Sequence, residues 1–110
     1  MTIYTSINTK KQISKLFQLY ESGQVNETTA RNLNKILELE VNQLQIDFVA
    51  TEKDLSVFEH QYNKTTANFF RQWQAGEIDD HMDYVEWASL AQMADNLRKR
   101  LEFLTSENQK

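Results

Sequence analysis

No proline occurs anywhere in the chain, and glycine stands only at positions 23 and 76. Proline costs about 3 kcal/mol in a helix interior and glycine about 1 kcal/mol, so a chain that avoids both is free to be helical almost throughout. Asn-Gly and Asp-Gly dipeptides are absent as well, which removes the strongest short-range hairpin signal. Together these absences predict an all-α fold of four helices, two of them long and coiled-coil-like. With 110 residues the chain is expected to be a single helical domain, with residues 1–8 and 106–110 frayed.

Periodicity and end signals place the helices. The first is predicted over 9–22: Thr9 and Gln12 have the spacing of a capping box, Ile13, Leu16, Phe17 and Tyr20 share a face, and Gly23 suits a left-handed terminus. The second is predicted over about 26–62, with Asn26 as N-cap. Along it Leu37, Val41, Leu44, Phe48, Thr51, Leu55, Phe58 and Tyr62 alternate steps of four and three, the repeat of a coiled-coil seam. Thr51 and Asp54 have capping-box spacing too, but the seam continues across them in register, which favours one unbroken helix. A short helix over 66–75 follows, started by Thr65 or Thr66 and stopped by Gly76. The last is predicted over about 80–105, where Trp87, Leu90, Ala94, Leu97, Leu101 and Leu104 repeat the alternation and Ala88, Ala91 and Ala94 form a strip of small residues.

A second helix of that length would span roughly 50 Å, more than the width of so small a domain. Homodimerisation through Val41, Leu44, Phe48, Leu55 and Phe58 is the expected way to bury the seam.

The stretch "QAGEIDDHMDYVEW", residues 74–87, holds five carboxylates and one histidine. Helix N-termini attract acids by about 0.3–1 kcal/mol each, so Asp79 or Asp80 is the expected N-cap of the last helix, with Asp83 and Glu86 in its opening turns. The rival reading is a metal-dependent hydrolase whose divalent ion sits on Asp79, Asp83 and Glu86, with His81 beside them. Helical di-metal sites draw carboxylates from several helices, typically with Glu-x-x-His on two of them, and no Glu-x-x-His occurs. The paired acidic motifs of MazG-type nucleotide pyrophosphohydrolases are not placed to converge either. No metal or other cofactor is therefore expected. His60 has no triad-like company, and a surface position is expected for it.

The remaining composition narrows the function further. Without cysteine there is no disulfide framework, thiolate zinc site or cysteine nucleophile. No apolar run approaches the roughly 20 residues needed to cross a bilayer, so no membrane partner is expected and a cytoplasmic location is the default. A net charge of −4 argues against nucleic acid as partner. The basic runs, Lys10, Lys11 and Lys15 and then Arg98, Lys99 and Arg100, are flanked by acids and read as solvated faces. Phe69, Phe70 and Trp73 fall within one helical turn; they read first as core and second as a partner-binding patch.

From Phe58 onward, Phe58, Tyr62, Thr65, Phe69, Gly76, Asp80, Asp83, Glu86 and Trp87 form a recognisable order. An aromatic helix end, a short Thr-capped helix, glycine, acids and Glu-Trp follow one another. The second half of the chain thereby resembles small, mostly uncharacterised all-helical bacterial and archaeal proteins of antitoxin-like character, encoded beside small toxin-like genes. His81-Met82-Asp83 replaces a more acidic run in that pattern. The resemblance implies an interaction protein without catalytic residues. The expected function is thus a non-enzymatic, homodimeric helical interaction protein, antitoxin-like, meeting a basic protein partner through Phe69, Phe70, Trp73, Asp83 and Glu86. A coiled-coil scaffold is the further alternative.

Overall fold

The structure, a computed structural model, describes residues 6–107. It is all-α, with α1 (Ser6–Glu21), α2 (Glu27–Tyr62), α3 (Thr66–Gln74) and α4 (Met82–Thr105). Two compact units meet within α2, one reaching Glu38 and the other starting at Leu39. The expected fraying at 1–5 and 108–110 lies outside the described residues. α1 begins at Ser6, three residues before the expected start, and Thr9 sits inside it rather than at its cap. Nothing between Ser6 and Thr9 opposes a helix, so the capping-box spacing marks no boundary.

In the first unit α1 ends in a Schellman motif. Gln24 N–H donates to the Leu19 carbonyl at 2.8 Å and Gly23 N–H to that of Tyr20 at 3.0 Å, with Gly23 at φ +72°. Asn26 then caps α2, its side-chain oxygen accepting from Thr29 N–H at 2.9 Å. Ile13, Phe17, Leu19 and Tyr20 are all exposed.

In the second unit α2 and α4 run antiparallel. Tyr62 meets Tyr84, Phe58 meets Trp87, and Thr51 approaches Met93, so positions fall along one helix as they rise along the other. The predicted seam of α2 therefore packs on the predicted seam of α4. Leu44, Thr51, Leu55 and Phe58 are buried on one side, and Trp87, Ala88, Ala91, Ala94 and Leu97 on the other. α2 is unbroken at Thr51, whose hydroxyl donates to the Asp47 carbonyl at 2.8 Å instead of capping a new helix.

α3 closes the end of this pair. Its start is fixed twice: Thr65 Oγ1 accepts from Asn68 N–H at 3.1 Å, and Glu59 of α2 accepts from Thr66 N–H at 2.8 Å. The fully buried rings of Phe69 and Trp87 stack at 4.0 Å, and Phe58 stacks on Trp87 at 5.6 Å. The indole N–H of Trp87 is satisfied by the Thr66 hydroxyl at 3.0 Å, so this aromatic core leaves no polar group stranded.

Candidate partner-binding surface

The corner from Gly76 to Trp87 is built from a second Schellman motif and a composite cap. Glu77 N–H donates to the Gln72 carbonyl at 2.9 Å and Gly76 N–H to that of Trp73 at 3.1 Å, with Gly76 at φ +74°. The expectation of Asp79 or Asp80 as the N-cap of α4 is corrected. His81 is the cap, its Nδ1 accepting from Asp83 N–H at 3.2 Å, and the helix starts at Met82. Asp79 instead accepts from His81 N–H at 3.1 Å, forming a turn one step earlier. The carboxylate thus serves the residue that does the capping, while Asp80 stays exposed.

Asp83 does not face water alone. It is half-buried and accepts a 2.5 Å hydrogen bond from the Tyr62 hydroxyl, which joins the end of α2 to the first turn of α4. That bond pushes the Tyr62 hydroxyl up to about 12, because ionising it would forfeit the bond and set two negative charges together. Glu77 and Glu86 are exposed. Among the described residues no three His, Asp or Glu side chains are grouped so that they could hold a metal ion. Asp79, Asp83, Glu86 and His81 share a stretch of sequence without forming such a group.

The aromatic trio divides. Phe69 has no exposed surface, so it belongs to the core and has none to offer a partner. Phe70 and Trp73 are half-buried and line a shallow groove of about 660 Å³ with Val85, Ala88 and Gln92. Of the proposed dimer-seam residues, Leu44, Leu55 and Phe58 are buried within the single chain, while Val41 and Phe48 are half-buried. The burial of Leu44, Leu55 and Phe58 needs no second chain.

Two of the three basic residues in the run on α4 pair with nearby acids. Arg98 pairs with Asp95 and, at 3.3 Å, with Glu102, and Lys99 reaches Asp95 at 3.1 Å. The hydrogen bond from Lys99, with Arg98 alongside, holds the Asp95 carboxyl below its ordinary range. His60 is exposed, with Nδ1 3.1 Å from the Ser56 carbonyl oxygen. No helix among the described residues is long and apolar enough to cross a membrane.

Two features lie outside the expected site. The Tyr62–Asp83 bond spans 21 positions, and no local spacing announces it. A second apolar stripe on α2 is legible in principle, since Leu39, Ile46, Ala50 and Val57 are spaced seven, four and seven apart, which keeps them on one side of a helix. No family model, curated protein or solved structure matches the chain.

Proposed function

We propose that this protein is a non-enzymatic helical interaction protein that pairs with itself and neutralises a basic protein partner in the manner of an antitoxin. One observation carries the reading: large apolar side chains stand exposed along α1 and α2, among them Ile13, Phe17, Leu39, Ile46, Val49 and Val57. Within α2, Leu39, Ile46, Val49 and Val57 lie near one another along the helix, the kind of exposed apolar patch that marks an interaction site. The resemblance of residues 58–90 to antitoxin-like helical proteins supports the same class. For the partner, the groove beside Phe70 and Trp73 supplies aromatic contact, and exposed Glu77 and Glu86 supply negative charge that speeds association with a basic surface.

Sedimentation equilibrium at tens of micromolar tests the self-association, with about twice the chain mass expected. A monomer at that concentration defeats it. For the partner, the product of the adjacent gene is co-expressed with this chain and the complex is titrated with salt. Glu86→Lys is expected to weaken binding and flatten its salt dependence without moving the melting temperature.

A further inference from the structure

α2 is apolar on two sides, and the chain covers only one. At about 100° per residue, Leu39, Ile46, Ala50 and Val57 fall in a line on roughly the opposite side of the helix from Leu44, Thr51, Leu55 and Phe58. The second group is buried against α4, whereas Leu39, Ile46, Val49 and Val57 are 58%, 61%, 63% and 63% exposed. The open stripe's steps of seven, four and seven residues cover eighteen residues in about five turns, so the line runs straight along the helix.

Its edges differ in charge. Glu40, Asp47 and Asp54 recur at seven-residue intervals along one edge. The other edge carries Asn42, Val49, Lys53 and His60, with a single acid, Glu38, at its start beside Lys35. Within the chain, Glu40, Lys53 and Asp54 form no ion pair among the described residues. Two such stripes can meet in two senses. Antiparallel pairing sets like edges together, three acids facing three acids. Parallel pairing sets each edge of three acids against the less acidic edge of the other copy and brings Lys53 of one beside Asp54 of the other.

We propose that a second copy of this chain covers the stripe, with the two α2 helices parallel and in register about a twofold axis. The proposal rests on the self-association reading above and assigns its surface. α4 stays where it is, because it occupies the opposite side of α2. Ile46, Ala50 and Val57 then each meet their own counterpart, and Lys53 lays its aliphatic stem along the apolar line while its ammonium reaches the facing acids.

The chain contains no cysteine, so single cysteines report the arrangement directly. Leu39→Cys and Val57→Cys lie about 27 Å apart along the helix. Each variant alone is expected to oxidise to a disulfide-linked dimer. Linkage only when the two variants are mixed indicates antiparallel helices and overturns the proposal. Sedimentation supplies the second arm. Ile46→Glu is expected to weaken the dimer by at least about a hundredfold, since burying an unpaired carboxylate is costly. Lys53→Glu should weaken it about tenfold, and adding Asp54→Lys should restore it. Circular dichroism verifies that each variant keeps its helices, as substitution at exposed positions should allow. If the wild type dimerises, Ile46→Glu dimerises equally well and neither cysteine links, this surface is wrong while self-association stands. A wild type that is monomeric at tens of micromolar overturns both.

Discussion

Trp87 and Phe17 are both large aromatic residues on the apolar side of a helix, yet Trp87 is 0% exposed and Phe17 is 52% exposed. The difference lies in what the chain does next. After Tyr62 it turns twice within twenty residues, at Asn63 (φ +51°) and Gly76 (φ +74°), and brings α3 and α4 back onto the end of α2. Phe58, Phe69 and Trp87 thereby stack on one another. α1 has the same kind of apolar spacing, but its apolar residues remain largely uncovered. Amphipathic periodicity states which face of a helix wants cover; turn chemistry determines whether the same chain delivers it.

The largest effect is expected at the buried end. Trp87→Ala removes the ring that Phe58 and Phe69 stack on and leaves the Thr66 hydroxyl without its donor. A loss of about 3–5 kcal/mol is expected in urea unfolding followed by circular dichroism. That is a large share of the roughly 5–15 kcal/mol typical of a whole domain. Phe17→Ala at low protein concentration should change the same measurement by about 0.5 kcal/mol or less, as exposed positions do. An equal loss at the two sites breaks the contrast, because it means that Phe17 is covered in solution.

A smaller effect separates the two glycines. Gly23 and Gly76 have nearly the same conformation, φ +72° and +74°, and an added Cβ meets nothing within 4 Å at either. Alanine therefore carries only the left-handed backbone penalty of about 1–2 kcal/mol at each. Gly76 joins elements of the packed corner, so Gly76→Ala should lower the main melting transition. Gly23 follows an uncovered helix, so Gly23→Ala should reduce helicity near α1 and leave that transition almost unmoved. Amide hydrogen exchange resolves the two regions. Equal shifts in the main transition would show that both units unfold together.

How much of this was legible in the sequence follows the same division between local and distant causes. The four helices were, because proline-free periodicity and end signals act within a few residues. Asn26, Thr65, Gly23 and Gly76 all perform the end roles their types predict. So was the seam from Leu44 to Phe58, although it was read as a surface for another chain. Its mate was α4, and nothing in a heptad pattern distinguishes a partner in the same chain from one in another. The cap of α4 departs from the sequence pattern for a subtler reason. Asp79 and Asp80 are the stronger capping types, but Asp79 already completes a turn with His81 N–H, which leaves His81 at the boundary. Of the candidate site, Phe70 and Trp73 kept accessible surface and Phe69 did not, since one turn of helix presents neighbouring positions to core and solvent alike.

The sharpest spectroscopic effect belongs to Tyr62 and Asp83. Tyr62 donates to the Asp83 carboxylate at 2.5 Å, and its hydroxyl is pushed from 10.0 up to about 12. The sign of the linkage follows from that direction. In the unfolded chain the phenol ionises near its ordinary value, so the bond contributes its full stability below pH 10 and loses it as the pH rises through 12. Ultraviolet titration of the four tyrosines should show one late tyrosinate step. Tyr62→Phe should delete that step, and Asp83→Asn should return it toward 10 by removing the negative acceptor. Because Asp83 also opens α4, its own substitution mixes two effects, and Tyr62→Phe is the cleaner variant. It keeps the ring that packs on Tyr84 and Trp87 and removes only the oxygen. If every tyrosine of the folded wild type ionises together near pH 10, the link between the end of α2 and the start of α4 is absent in solution. The end of α2 and the start of α4 would then meet through the packing of Tyr62 on Tyr84 and Trp87.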